Sequence, residues 1–326
     1  MTNTSNNAPT LSLRVIKKTL EAVDIYTFEL ASADGHPLPS FAAGSHIDVH
    51  LPDGLIRQYS LCNDSNETHR YQIAVLKETA SRGGSLAMHE IVQEGDLLQV
   101  SLPRNHFPLS SSAKKSVLLA GGIGITPILC MAERLAKSAA EFELHYCARS
   151  PERAAFQKRI ANSSFSDKVK FYFSQSDHPQ KIDLNELLAT LEDGCHIYVC
   201  GPKSFMDAAL NIARKHGWPE NQLHYEFFGA EIVKSETDGS FDVKIASSGR
   251  IINIPKEQTV TQALAAAGID ILMSCEQGVC GTCLTGVLDG IPDHKDSYLT
   301  PDEKAANDQF TPCCSRAKSA QLVLDI

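Results

Sequence analysis

Cys275-Glu276-Gln277-Gly278-Val279-Cys280-Gly281-Thr282-Cys283, with two more thiols in Pro312-Cys313-Cys314-Ser315-Arg316, is the stretch on which the reading of this chain turns. Three thiols spaced C-x4-C-x2-C and a distant fourth are the spacing at which four thiolates hold two irons in a plant-type [2Fe–2S] site. Gly278 and Gly281 suit such a loop, because a chain wrapped closely around an inorganic cluster needs tight turns and backbone N–H groups facing the sulfides. A structural zinc site brings its thiols in as short pairs, and a disulfide framework suits a small secreted chain; neither pattern is seen here. Spacing alone leaves Cys313 and Cys314 both open as the fourth ligand. One-electron transfer is the expected business of this segment.

The chain has 326 residues, 43% of them hydrophobic, a net charge of −9 and ten cysteines. That length suits two or three domains. The acidic balance, without a basic patch, excludes nucleic acid as a partner. Met1-Thr2-Asn3-Thr4-Ser5-Asn6-Asn7 lacks the basic start and apolar run of a signal peptide, and no stretch is long and apolar enough for a membrane span. A cytoplasmic protein with reduced thiols is expected. Cys62, Cys130, Cys147 and Cys195 read as small buried hydrophobes.

Residues 11–109 read as short strands, at 11–16, 25–30, 45–51, 58–61, 71–76 and 97–102, punctuated by turn residues. This is the pattern of a small antiparallel barrel. After a polar break at 110–115, strands at 116–120, 142–148, 169–174, 196–200 and 223–227 alternate with helices at 126–136, 183–191 and 204–216. That alternation predicts a parallel, doubly wound sheet. A second break at 234–239 resembles a linker, followed by a hairpin around 247–249 and a helix at 259–267 leading to the cysteine loop. The expected domains are 1–112, 113–232 and 233–326.

Ala120-Gly121-Gly122-Ile123-Gly124-Ile125-Thr126-Pro127 falls where a strand ends and a helix begins, a place that suits a phosphate-bearing ligand. It is neither G-x-G-x-x-G nor a P-loop. Cys200-Gly201-Pro202 repeats the arrangement at the end of a later strand, so the two point to a shared crevice. Arg149 and Ser150 follow the second strand, where a nucleotide ribose is read. In the barrel, Arg57-Gln58-Tyr59-Ser60 sets a cation and a ring on one strand face, and Ser81-Arg82-Gly83-Gly84-Ser85 offers a second phosphate cradle. Taken alone, the Gly121–Gly124 stretch reads equally as a merely tight turn, and the two barrel segments read more often as an ordinary strand and turn with surface side chains.

With these motifs in this order, the chain resembles the reductase components of two-component Rieske oxygenases, the family of phthalate dioxygenase reductase and vanillate O-demethylase reductase. The resemblance spans nearly the whole chain. It implies a flavin-binding antiparallel β-barrel, a Rossmann-like α/β NAD domain and a C-terminal β-grasp ferredoxin. It also implies FMN, NADH and a [2Fe–2S] cluster as cofactors, since relatives with an N-terminal ferredoxin use FAD instead.

By resemblance, Arg57, Tyr59, Ser60, Ala74, Lys77, Arg82, Gly83, Gly84 and Ser85 bind the flavin, and Gly122, Gly124, Thr126, Arg149, Ser150, Cys200, Gly201 and Pro202 the nicotinamide nucleotide. Tyr225-Glu226-Phe227-Phe228-Gly229 resembles the aromatic segment that brings Phe228 to the isoalloxazine. Cys313-x-Ser315-Arg316-Ala317 matches the segment of the fourth cluster ligand, which selects Cys313 beside Cys275, Cys280 and Cys283. The partner so implied is a separate Rieske-type terminal oxygenase docking near residues 277–282, with the reductase a monomer. Hydride transfer needs no acid–base residue, so none is assigned as catalytic. The twelve histidines form neither the pairs of a Rieske centre nor a facial triad, so oxygen chemistry is expected on the partner. Two alternatives stand beside this reading: the same machine serving a P450 or a di-iron oxygenase, and a zinc-stabilised nucleotide-binding interaction protein.

Overall fold

Apolar residues at every second position in the first third of the chain build an antiparallel sheet with one buried face. Its strands are β1 (Thr10–Ala22), β2 (Ile25–Ser32), β3 (Ser45–His50), β4 (Ile56–Ser60), β5 (Tyr71–Leu76), β6 (Leu97–Ser101) and β7 (Arg104–Asn105), with α1 (Gly84–Glu90) between β5 and β6. The order is β4-β3-β6-β1-β2-β5, with β7 pairing to β3. An antiparallel bridge between Leu61 and Ile73 ties the β4 end to β5, so the sheet closes on itself. Leu13, Val15, Phe28, Leu30, Ile47, Val49, Ile73 and Val100 fill the interior. β1 runs beyond the expected 11–16 because register shifts between Val15 and Lys17 and between Leu20 and Ala22 break the alternation on which that expectation rests.

This computed structural model describes residues 9–52, 54–78, 83–176, 178–229 and 238–326, and it divides into two compact units, Met1–Glu226 and Phe227–Ile326. The barrel shares the first unit with a parallel sheet. Its elements are β8 (Lys115–Gly121), α2 (Ile125–Lys137), β9 (Glu141–Ala148), α3 (Gln157–Ala161), β10 (Val169–Phe173), α4 (Leu184–Leu188), β11 (Cys195–Cys200), α5 (Lys203–Lys215) and β12 (Leu223–Glu226). The order β10-β9-β8-β11-β12 reverses direction at β8, placing a crevice between the C-terminal ends of β8 and β11.

The second unit is a mixed sheet of order β14-β13-β19-β15-β17. Its elements are β13 (Phe241–Ile245), β14 (Ile251–Ile254), α6 (Val260–Ala266), β15 (Thr285–Asp289), β16 (Pro292–Asp293), α7 (Pro301–Ala306), β17 (Gln309–Phe310), β18 (Arg316–Ala317) and β19 (Gln321–Leu324). The last strand lies parallel to the first, and Val260, Ala263 and Leu264 of α6 pack on the sheet, which is the β-grasp arrangement. Thr259 and Gln262 form a capping box that fixes where α6 begins.

The two turns at the crevice touch through their backbones. A Cβ on Gly124 would sit 2.2 Å from the Cys200 carbonyl oxygen, and one on Gly201 would sit 2.9 Å from Gly121 Cα. Gly124→Ala should therefore cost about 1–3 kcal/mol of unfolding free energy in denaturant titration. Gly239→Ala, where an added Cβ meets nothing within 4 Å among the described residues, should stay within about 0.5 kcal/mol of the parent.

Candidate functional site

The crevice at the sheet reversal is walled by the two glycine turns. Gly121, Gly124 and Gly201 are explained by the close packing of these turns. Gly122 differs, with φ +54° and open space on the side where a side chain would lie. It leads into α2, a thirteen-residue helix whose N-cap position, Gly124, carries no side chain, so first-turn N–H groups and the helix dipole suit an anion. Thr126 is buried, and its hydroxyl donates to the Ile123 carbonyl at 3.0 Å. Arg149 and Ser150 stand just beyond the end of β9. Pro202 caps α5 and lies over Gly121.

The barrel motifs meet in space. An added Cβ on Gly84 would fall 2.5 Å from Arg57 Cγ, so the strand cation and the glycine turn lie against each other. Gly83 has φ +95°. Ser85 Oγ accepts the Glu78 N–H at 3.1 Å. Tyr59 is half-buried on the same strand, and Ala74 is buried in β5. Lys77 spends its ammonium on Glu90 at 2.8 Å. Arg82 lies outside the described residues.

Glu226 is the residue that sequence reading quoted without a role. Ser60 Oγ donates to its Oε2 at 3.1 Å, and Glu226 pairs in register with Cys200 across β11 and β12. Burial pushes the Glu226 carboxyl up to about 7, and it pushes the Cys200 thiol well above its usual range with help from Glu226. A hydroxyl, a carboxyl and a thiol thus meet at the crevice, one from the barrel and two from the parallel sheet. Phe228, about two-fifths exposed, belongs to the second unit.

In the second unit Cys275, Cys280, Cys283, Cys313 and Cys314 are all buried. Cys275 Sγ accepts backbone N–H groups from Gln277 and Val279, each at 3.4 Å, and Cys280 Sγ accepts from Thr282 at 3.5 Å. Hydrogen bonds from the Cys280 and Cys313 thiols hold Cys275 far below the ordinary thiol range. Cys313 reaches Cys275, Cys283 and Cys314, and Cys314, besides that contact, meets Thr311 Oγ1 at 3.3 Å and Ser315. The thiols are therefore linked as 280–275–313–283, with Cys314 attached at Cys313. Among the described residues no three His, Cys, Asp or Glu side chains are arranged to hold a single metal ion.

Close approach explains the loop glycines. A Cβ on Gly278 would meet Cys314 Sγ at 2.4 Å and one on Gly281 the Tyr298 ring at 2.2 Å, and both have positive φ. The donor set fits a two-iron cluster: four buried thiols, backbone N–H groups on the sulfurs and a loop with no room for side chains. Arg316 anchors the Cys313–Cys314 segment, donating to the carbonyls of Gln258, Gly239 and Pro255 at 2.9, 3.0 and 3.2 Å.

Comparison with known proteins agrees with both halves. A family model described as "2Fe-2S iron-sulfur cluster binding domain" matches residues 243–318, and one described as "Dimethylamine monooxygenase subunit DmmA-like, N-terminal domain" matches residues 99–223. Vanillate O-demethylase oxidoreductase of Pseudomonas sp. (strain HR199 / DSM 7063) is 55% identical, covering 94% of this chain and 97% of its own. The solved phthalate dioxygenase reductase, described as a modular structure for electron transfer from pyridine nucleotides to [2Fe–2S], is 40% identical. It covers 97% of this chain and 98% of its own, with TM-score 0.77. The chain belongs to this family of oxygenase reductases. An intact type IV self-sufficient cytochrome P450 monooxygenase also contains the fold, at 40% identity and TM-score 0.83, over 97% of this chain and 41% of its own.

An oxygenase reductase with this loop separates the two adjacent thiols by experiment. Cys314→Ser should keep the iron content and visible spectrum of the parent, whereas Cys313→Ser should lose most of its iron or change its EPR signal. Iron assay and EPR on both purified variants check this, and equal loss in both would contradict the assignment of Cys313.

Proposed function

We propose that the protein oxidises NADH at the crevice of its first unit and passes the electrons one at a time, through a [2Fe–2S] cluster, to a separate Rieske-type terminal oxygenase. FMN supplies the conversion between the two-electron donor and the one-electron acceptor. Arg57, Gly83, Gly84 and Ser85, with Arg82, hold its phosphate end, while Tyr59, Ser60, Ala74 and Lys77 border its ring. Gly122, Gly124, Thr126, Arg149, Ser150, Cys200, Gly201 and Pro202 hold the nucleotide, with Phe228 reserved for the ring face. Cys275, Cys280, Cys283 and Cys313 hold the irons. The functional division runs 1–112 for flavin, 113–232 for nucleotide and 233–326 for the cluster. The protein works as a cytoplasmic monomer, and its oxygenase docks beside residues 277–282. Among the described residues no helix is long and apolar enough to cross a membrane.

The observation that carries this reading is the joint presence of a crevice at a sheet reversal and a buried four-thiol loop in one chain. That chain is alike through 97% of its length to a reductase described as moving electrons from pyridine nucleotides to [2Fe–2S]. The zinc-stabilised binding protein is not favoured, because that likeness runs through all three parts. The P450 acceptor has one observation behind it, the P450 monooxygenase that contains the same fold in a longer chain.

Reconstitution distinguishes the acceptors. The purified reductase should support NADH-driven substrate turnover by a Rieske-type oxygenase for aromatic methyl ethers or aromatic acids. Turnover with a stand-alone P450 or a di-iron oxygenase should be at least about tenfold lower, a preference worth about 1.4 kcal/mol. Equal support of all three, or of a P450 alone, would overturn the assignment of the partner.

A further inference from the structure

A histidine that is 1% exposed and has no hydrogen-bond partner on either ring nitrogen among the described residues is an expensive thing to keep in a fold. His46 on β3 is such a residue. Its Nδ1 lies 3.8 Å from Glu226 Oε1, on the side of the carboxyl away from Ser60. Its ring stacks on His106, with centroids 5.2 Å apart and planes at 27°, and His106 is an exposed residue directly after β7. Ser60, Glu226, His46 and His106 therefore form a line from the crevice to the surface, with every member in the first unit.

The groups facing this line are few and of known sign. Arg104, paired with Asp48, faces both histidines, and Cys200 faces Glu226. Burial first, then Arg104 and His106, pushes His46 down to about 3, so it is neutral at physiological pH. The Glu226 carboxyl, pushed up to about 7 by burial, exchanges its proton in that range.

The reaction leaves something for such a line to carry. NADH becomes NAD⁺ by releasing two electrons and one proton as a hydride, and an iron–sulfur cluster accepts the electrons alone. One proton per NADH must therefore leave a crevice in which Ser60 and Thr126 are buried and the Glu226 side chain is 12% exposed. We propose that it leaves through Ser60, Glu226, His46 and His106, with water carrying the proton across the 3.8 Å step from Glu226 to His46 and between the two stacked rings, and with His46 the positioning residue that links the carboxyl to the surface. This inference rests on the reading of the crevice as the site of NADH oxidation.

The test uses the full-length holoprotein in weakly buffered, anaerobic solution, with a pH-indicator dye and cytochrome c as one-electron acceptor. Stopped flow then records two signals, flavin bleaching by NADH and proton release to the dye as electrons move on. In His46→Phe, bleaching should stay within about twofold of the parent while proton release slows about tenfold or more, with added imidazole restoring it. His106→Ala changes a surface residue and keeps the test sharp should His46→Phe fold poorly; it should slow release in the same sense. Proton release at the parent rate in both variants would overturn the route, as would bleaching and release falling together without imidazole rescue. If the parent itself fails to bleach with NADH, the reading of the crevice fails instead, which this design separates from failure of the route.

Discussion

The first unit depends on one contact, the backbone of the β8–α2 turn lying directly on the backbone at the end of β11. Neither turn tolerates a side chain there, since Gly124 faces the Cys200 carbonyl and Gly201 faces Gly121. The contact fixes the mouth of the sheet, aims the N-terminus of α2 into the crevice and brings Cys200 level with Glu226. Ser60 then joins the barrel to the parallel sheet by its hydrogen bond to Glu226. The glycines serve shape first, and the space that shape leaves open lies at Gly122.

The second unit obeys a similar constraint with different chemistry. Thiolates gathered in one loop repel one another unless their charge is met, and the loop meets it with backbone N–H groups at Cys275 and Cys280. Hydrogen bonds to cluster sulfurs are also a lever on reduction potential, so the turn that makes room for the cluster contributes to its poise. Arg316, placed three residues after Cys313 and bonded to three carbonyls near the start of the unit, holds the distant ligand segment to the rest of the β-grasp.

Much of this is written in the sequence. β5 has the bounds expected of it, and the strands of the parallel sheet fall within a residue of theirs, because buried apolar runs and the glycine turns that end them leave little freedom. The cysteine spacing points to the nature of the second unit, while the choice of Cys313 over Cys314 rests on resemblance, since both thiols are buried in one network. What escaped was of two kinds. Short elements such as α3 and α7 carry too few residues for a period, although Thr300 and Glu303 spell a capping box before α7. Glu226 and His46 escaped because a polar residue within a strand looks alike whether it faces water or a buried partner, and only the fold reveals that these two face each other.

The most direct measurement is an anaerobic titration of the purified protein with NADH, followed by visible absorbance and low-temperature EPR. The account predicts flavin bleaching together with a rhombic S = 1/2 signal from a reduced [2Fe–2S] cluster, both complete within a few equivalents. A protein that is colourless and EPR-silent with bound zinc, or one whose flavin bleaches while no cluster signal develops, would contradict it.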